Sequence, residues 1–323
     1  MKNNINELFL KKYSNEFISM KELDKPQEVI KTGNINLDSI LGCGGIPKSR
    51  ITEIYGNESS GKTTIALQVA KQSTLIKEKV LYIDMECTLN IEYIRHNGID
   101  LEFMTICRPK NGEKAFAIIE DALKENLYSL IIIDSVAAMN SESELDESIE
   151  ENIKIGLHAR LMSRGLRRIQ NPLSNSNTAI IFINQLREKI GIMYGNPETT
   201  TGGKALKFFS TLRIEVKKID LIKNGQDKIG IKSKLTIVKN KLAKPFETCT
   251  INIYFNEGYD NTMDMIDYAI EHNIITKSGA WYYFNNEKIC QGMNKLKTYS
   301  LENPEWFEQI KNIITNQLLI IGN

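Results

Sequence analysis

The 323-residue chain has no uninterrupted apolar run long enough to span a membrane. Its start, MKNNINELFL, lacks the charged region, apolar stretch and small-residue cleavage site of a signal peptide, so a cytoplasmic location is expected. Cysteine and histidine are sparse. Cys43, Cys87, Cys107, Cys249 and Cys290 form no C-x-x-C pair, and only His96, His158 and His272 could join them, which argues against a zinc site or a disulfide framework. Neither charge is in excess: 41 basic side chains stand against 40 acidic ones, which excludes a protein that coats nucleic acid by bulk attraction. Only nine of the basic residues are Arg, while Lys, Asn and Ile abound, a bias that AT-rich codons produce without functional meaning. There is no internal repeat and no low-complexity tail. What remains, 41% hydrophobic and 25% charged, is an ordinary globular composition with chain enough for about two domains, or one large one with appendages.

The balanced charge is unevenly placed. Between Lys204 and Lys244 twelve bases stand against three acids, whereas Ser141 to Glu151 holds six acids and no base. Runs of this kind ordinarily belong to solvated faces and prove little alone. The first stretch, residues 1–24, is polar with one amphipathic segment (Leu8, Phe9, Tyr13, Phe17), and Lys25-Pro26 interrupts any helix there. From Ile51 onward, apolar runs (Ile51 to Tyr55, Val80 to Ile83, Leu130 to Ile133, Ala179 to Ile183) alternate with stretches of helical period. That alternation predicts an α/β fold with a mainly parallel sheet covered by helices on both faces. Beyond Gly203, strand-like segments (Thr211 to Ile219, Ile231 to Lys239, Cys249 to Phe255) are expected to form a further, antiparallel edge. Past Asp260, a helix (Met263 to Glu271), an aromatic strand (Trp281 to Phe284) and an amphipathic helix from Pro304 suggest a small second α+β domain.

The strongest local signal is Gly56-Asn57-Glu58-Ser59-Ser60-Gly61-Lys62-Thr63, followed by a helical stretch from Thr64. It fits G-x-x-x-x-G-K-[ST] between a strand and a helix, where the glycines turn backbone N–H groups toward phosphates, Lys62 reaches the β/γ oxygens and Thr63 ligates Mg²⁺. A Mg²⁺-nucleotide site also needs a carboxylate at the end of a neighbouring buried strand, and Asp134, before Ser135, closes the run Leu130 to Ile133. Hydrolysis needs a base near the γ-phosphate. Glu86, two residues past the strand Val80 to Ile83, is the candidate, with Asp84 as a competing structural acid. The helix Gly156 to Asn171 places Arg160, Arg164, Arg167 and Arg168 on one face opposite its apolar stripe, either as a solvated face or for forked recognition of phosphates or carboxylates. After Ile183 come Asn184-Gln185 and a loop rich in Gly, Thr and cations, with Arg187, Lys189, Gly191, Tyr194, Gly195, Asn196 and Gly202-Gly203. Such a loop can approach a phosphate backbone closely, and Tyr194 can stack on a base.

From this loop the resemblance becomes specific. Ile183-Asn184-Gln185-Leu186-Arg187, Gly195-Asn196-Pro197-Glu198-Thr199-Thr200-Thr201-Gly202-Gly203 and Ala205-Leu206-Lys207-Phe208-Phe209 resemble the signature of the RecA family of DNA strand-exchange ATPases. The likeness extends through Gly56 to Thr64, Ile83-Asp84-Met85-Glu86, Ile132 to Ala138, Val238-Lys239-Asn240-Lys241 with Pro245-Phe246, and Gly279 to Tyr282, covering nearly the whole chain.

The resemblance implies a RecA-type P-loop ATPase core over residues 25–259, a short N-terminal helical polymerisation segment over 1–24 and a small C-terminal domain over 260–323. It implies an ATP site at the interface between protomers of a helical filament. There Gly56 to Thr64, Lys62 and Thr63 among them, together with Asp134 and Ser135 would hold ATP with Mg²⁺, Asn90 and Tyr93 would lie at the adenine, and Glu86, Lys62 and Gln185 would serve catalysis. Lys239 and Lys241 would reach the ATP of the neighbouring protomer. The implied DNA contacts are Arg160, Ser163, Arg167, Arg187, Lys189, Tyr194, Gly195, Asn196, Gly202 and Gly203, with DNA loops at about 147–155 and 186–203. Implied partners are single-stranded DNA, homologous double-stranded DNA and further copies of the chain, with a LexA-like repressor and single-strand-binding or loading proteins beside them. A hexameric helicase-like motor and a non-catalytic regulatory relative are the alternatives on the same fold.

Three departures stand out. The first loop (ESIEENIK) lacks glycine and carries extra acid, the N-terminal segment is shorter than usual, and the end, LLIIGN, is without an acidic tail, so tail-based autoinhibition is expected to be absent or reduced.

Overall fold

A computed structural model of the chain describes residues 11–12, 26–146, 156–188, 198–255, 257–259 and 261–321. A two-stranded antiparallel ribbon, β1 (Val29–Ile30) with β2 (Ile46–Pro47), brackets helix α1 (Ile35–Ile40), whose N-cap Asn34 accepts a hydrogen bond from Leu37 N. Strands and helices then alternate as the periodicity requires: β3 (Ile51–Gly56), α2 (Lys62–Leu75), β4 (Val80–Asp84), α3 (Ile91–His96), β5 (Met104–Cys107), α4 (Gly112–Lys124), β6 (Leu130–Asp134), α5 (Glu142–Asp146), α6 (Leu157–Ser174) and β7 (Ala179–Glu188). The chain continues through β8 (Glu198–Thr200), α7 (Ala205–Phe209), β9 (Leu212–Asn224), β10 (Asp227–Asn240), β11 (Thr248–Tyr254) and β12 (Gly258–Tyr259).

These strands form one sheet in the order β12-β11-β10-β9-β3-β7-β6-β4-β5, with β8 paired to β7 off that path. The apolar runs are buried on both sides because alternate residues enter different cores. In β6, Leu130 and Ile132 join a cluster beneath α2, whereas Ile131 and Ile133 join one beneath α4 and α6, and all four are fully buried. Each such side chain contributes about 2 kcal/mol through the area it removes from water.

Two expectations need correction. The far side of the sheet is antiparallel only from β10 outward, because β9 runs parallel to β3: the chain crosses back through β8 and α7 and enters beside β3 in the same direction. Strand β7 does not stop at Ile183 but continues to Glu188, since its polar end is held by backbone pairing with β8 (Leu186 with Thr200, Arg187 with Thr199) rather than by apolar burial.

The parallel register assembles the functional rim. Gly56 lies beside Gln185, and Asp84 beside Asp134, at the carboxyl ends of neighbouring strands. Ligands bind at that edge of a parallel sheet.

From Asn261 the chain forms α8 (Asn261–Glu271), a three-stranded antiparallel sheet of β13 (Thr276–Ser278), β14 (Trp281–Phe284) and β15 (Glu287–Gln291), then α9 (Met293–Glu302) and α10 (Pro304–Ile321). Its separate core centres on Trp306, whose ring meets Phe284 and Tyr299 edge-on at 5.8 and 5.2 Å. Buried Asp264 ties it to the sheet, accepting from Asn34 Nδ2 and, at 3.1 Å, from Asn252 Nδ2.

Candidate functional site

The loop between β3 and α2 is shaped for close backbone approach. Gly61 caps α2 at φ 95°, and a Cβ there would stand 2.4 Å from Ile253 Cδ1; at Gly56 it would stand 2.0 Å from the Val216 carbonyl oxygen. Only glycine fits either position. The Ser60 hydroxyl is buried without a hydrogen-bond partner among the described residues, and Lys62 Nζ folds onto the Asn57 carbonyl at 2.7 Å. Asn57, Glu58 and Ser59 are exposed. The loop thus offers an unsatisfied hydroxyl, a helix N-terminus and a cation tied only to the loop's own carbonyl, a donor set suited to phosphate oxygens.

Thr63 Oγ1 donates to Asp134 Oδ2 at 2.8 Å, and the buried Tyr82 hydroxyl donates to the same oxygen at 2.7 Å. The Asp134–Ser135 peptide is cis. Burial pushes the Asp134 carboxyl above its ordinary pKa and nearby Glu86 adds to this, against the bonds from Tyr82 and Thr63 and the charge of Lys62. Lys62 is lowered by burial, offset by Asp134, Glu86 and Glu58. A hydroxyl and a carboxylate in contact at the start of α2, in a patch where acids crowd each other, suit a hard divalent cation. Among the described residues no group of three or more His, Cys, Asp or Glu side chains could hold a metal by itself.

Of the two acids after β4, Asp84 is spent on structure. It is 2% exposed, salt-bridged to Arg108 Nε at 3.0 Å, and accepts from the backbone N–H groups of Thr88 and Leu89 at 3.3 Å. Glu86 is exposed on the rim; its Oε1 accepts from Ser135 Oγ and, at 3.4 Å, from Gln185 Nε2. Tyr93 hydroxyl bonds Thr64 Oγ1 at 2.6 Å, bringing it to the start of α2, while the Asn90 side chain caps α3 by accepting from Glu92 N at 2.8 Å.

Behind Gln185 lies a buried network that the motif reading missed. Fully buried Glu53 is bonded to Arg213 Nε at 2.5 Å and to Asn184 Nδ2 at 2.9 Å. Asn184 also donates to the Thr201 carbonyl at 3.1 Å, bonds the Thr201 hydroxyl, and accepts from the Gln185 N–H at 2.9 Å. The signal was present in the sequence: a glutamate inside an apolar run needs a buried partner, and nothing in that run supplies one.

Arg160, Arg164, Arg167 and Arg168 are all exposed on α6, and Arg168 is salt-bridged to Glu120. Ser163 is half-buried between them, Arg187 is exposed on β7, and on the return limb after β8 Gly202 is buried while Gly203 is exposed. Half-buried Lys239 donates to the carbonyls of Lys207 and Phe208 at 2.7 and 3.1 Å, and its pKa is lowered by burial and by Lys241 and Arg213. Lys241 is exposed in a cleft with Phe208 and Leu242, themselves 70% and 36% exposed. Lys189, Tyr194, Gly195, Asn196 and the whole first loop, 147–155, lie outside the described residues, as does nearly all of 1–24.

Comparison with known proteins decides the family. The RecA N-terminal domain model matches residues 3–260 and the RecA C-terminal domain model matches residues 263–319. The chain belongs to the RecA family. Protein RecA of Malacoplasma penetrans is 49% identical over 308 residues, covering 95% of this chain and 93% of the relative. Protein RecA of Ureaplasma parvum serovar 3 is 52% identical, covering 92% and 89%, and that of Mycoplasma genitalium is 50% identical, covering 90% and 86%. Membership in the RecA family makes this a chain of the recombinase family, whose members bind ATP and DNA in recombination and repair. Among the described residues no helix is long and apolar enough to cross a membrane.

Proposed function

We propose that this chain is a DNA-dependent ATPase that polymerises on single-stranded DNA as a helical filament, pairs it with homologous duplex and exchanges strands. The observation that carries the reading is the contact between Gln185 and Glu86, because Gln185 stands at the root of the second loop and Glu86 on the nucleotide rim.

In this account the backbone N–H groups of Gly56 to Thr63 and the Lys62 ammonium hold the phosphates of ATP, and Thr63 with Asp134 holds Mg²⁺. Mg²⁺, when bound, neutralises charge on the phosphate oxygens. Lys62 leaves the Asn57 carbonyl to do its part. Tyr93, Asn90 and Ser135 border the nucleotide. Glu86, aimed by Ser135 and Gln185, accepts the proton of the attacking water. Arg160, Ser163, Arg167, Arg187, Lys189, Tyr194, Gly195, Asn196, Gly202 and Gly203 grip DNA through phosphates and base faces, which makes binding salt-dependent and largely indifferent to sequence. Lys239 and Lys241 act on the ATP of the next protomer, and the exposed Phe208 and Leu242 beside Lys241 support a second copy docking there. The polymerisation segment 1–24, the ATPase core 25–259 and the domain 260–323 divide the labour, and a LexA-like repressor and single-strand-binding or loading proteins are further partners of the filament.

Replacement of Gln185 by Ala tests the coupling. ATP binding should persist while stimulation of hydrolysis by single-stranded DNA disappears. A Gln185→Ala chain stimulated as strongly as the wild type would break the proposed link between the loop and the base.

A further inference from the structure

Helix α6 carries one side chain that neither the nucleotide site nor the arginine face uses. His158, on its first turn, has its ring hydrogen-bonded to the backbone of Val136, while its Nε2 is buried without a hydrogen-bond partner among the described residues. The ring stands against the return limb of the second loop: a Cβ built on Gly202 would be 3.9 Å from His158 Cε1. His158 and Thr200 line one cleft between α6, the β7–β8 ladder and α7, with Arg187, Lys204 and Lys207 among its walls. Thr200 is 4% exposed, and its Oγ1 too is buried without a partner among the described residues.

Buried polar atoms are rarely left unpaired, and each such exception asks for an explanation. Here two share one cleft with three cations, which sets the sign of the missing partner: an anionic oxygen able to accept from both. We propose that His158 and Thr200 are additional DNA-binding residues that together grip a phosphate oxygen of the DNA backbone at the neck of the second loop, His158 as the imidazolium. The inference rests on the DNA-binding reading above.

The charges around the ring give the contact a pH dependence. Burial lowers the His158 pKa; Glu144 on α5 and the Val136 bond oppose this, and Arg187 on β7 adds to it. Lys204, at the N-cap of α7, and Lys207 within it line the same cleft, and Arg160 follows on α6. The ring is therefore neutral near neutral pH while the cleft is empty. A phosphate supplies the opposite charge and raises the pKa, so one proton is taken from solvent as DNA binds and returned as it leaves. Binding is strengthened below the DNA-bound pKa and loses that gain as pH rises through it.

The test is binding of the full chain, with Mg²⁺ and a non-hydrolysable ATP analogue, to fluorescent oligo(dT) from about pH 6 to about pH 8 at fixed ionic strength. The wild-type Kd should tighten up to about tenfold per pH unit in the window of the His158 titration, and His158→Gln should lose that slope. Parallel slopes in the two chains overturn the proposal. Thr200→Val should weaken binding about three- to tenfold while keeping the slope, and an unchanged affinity overturns the pairing. If neither chain binds oligo(dT) at any pH, it is the DNA reading itself that has failed. Inorganic phosphate added to the DNA-free chain should leave the His158 ring resonance in place; a pKa raised by phosphate alone assigns the cleft to the free anion and overturns the DNA assignment.

Discussion

Gln185 Nε2 lies 3.4 Å from Glu86 Oε1, joining the end of β7 to the segment after β4 across 99 positions of sequence. The parallel register makes that approach possible, because β7, β6 and β4 are successive neighbours in the sheet and their carboxyl ends share one rim. A side chain at the root of the second loop thereby touches an acid at the nucleotide edge, so a change in either position is felt by the other.

Glu86→Gln should keep nucleotide binding and lose turnover by about 10²- to 10⁴-fold, the usual worth of a positioned base. The amide keeps an oxygen for Ser135 and Gln185 but cannot take a proton from water. Steady-state hydrolysis together with fluorescent-nucleotide binding checks this, and hydrolysis at the wild-type rate would remove Glu86 from the role.

Lys62→Ala should abolish measurable nucleotide binding, since truncating one partner of a charge pair costs about 2–5 kcal/mol. Titration with a fluorescent ATP analogue reads this directly. The folded chain should remain, because the ammonium makes one hydrogen bond, to the Asn57 carbonyl.

Glu53→Ala should destabilise the fold by about 3–5 kcal/mol, the cost of leaving a buried charge unpaired. Arg213, 9% exposed, would lose its carboxylate, and Asn184 would lose the acceptor that fixes it below Gln185. Urea unfolding of the two chains measures the difference; a loss under about 1 kcal/mol, the worth of an ordinary exposed ion pair, would show that the network carries little of the fold.

Asp38 gives a pH prediction. Burial raises its carboxyl to about 6, against hydrogen bonds from Thr32 and the charge of Lys31. Because the folded value lies above the unfolded one, stability from this group is full below about pH 4 and is lost as pH rises through about 6. Asp38→Asn keeps an acceptor for the Thr32 N–H, now bonded at 2.9 Å, and removes the charge. Its stability relative to the wild type should grow by about 1–2 kcal/mol between those pH values, allowing for partial exposure. A difference that stays constant with pH would show that Asp38 does not titrate there.

Local pattern carried much of this account. The four apolar runs became β3, β4, β6 and β7, and the loop from Gly56 to Thr63 stands between a strand and a helix as its motif requires. What local pattern could not show was pairing across the sheet. Leu212 to Val216 looks the same whether its neighbour runs parallel or antiparallel, and the parallel pairing with β3 emerges only from the crossover through α7. The sequence favours Glu86 over Asp84 as the base only by its place two residues past the strand; Arg108 and the N–H groups of Thr88 and Leu89 separate the two acids physically by drawing Asp84 inward. Arg213 counted among the bases of a charged stretch until its burial against Glu53 removed it from the surface.

The most direct test of the central claim is ATP hydrolysis by the wild-type chain, with and without single-stranded DNA, across a salt series. The account predicts strong stimulation by DNA that fades as salt rises, because phosphate contacts release counterions and weaken with ionic strength. Hydrolysis that ignores DNA at every salt concentration would contradict it.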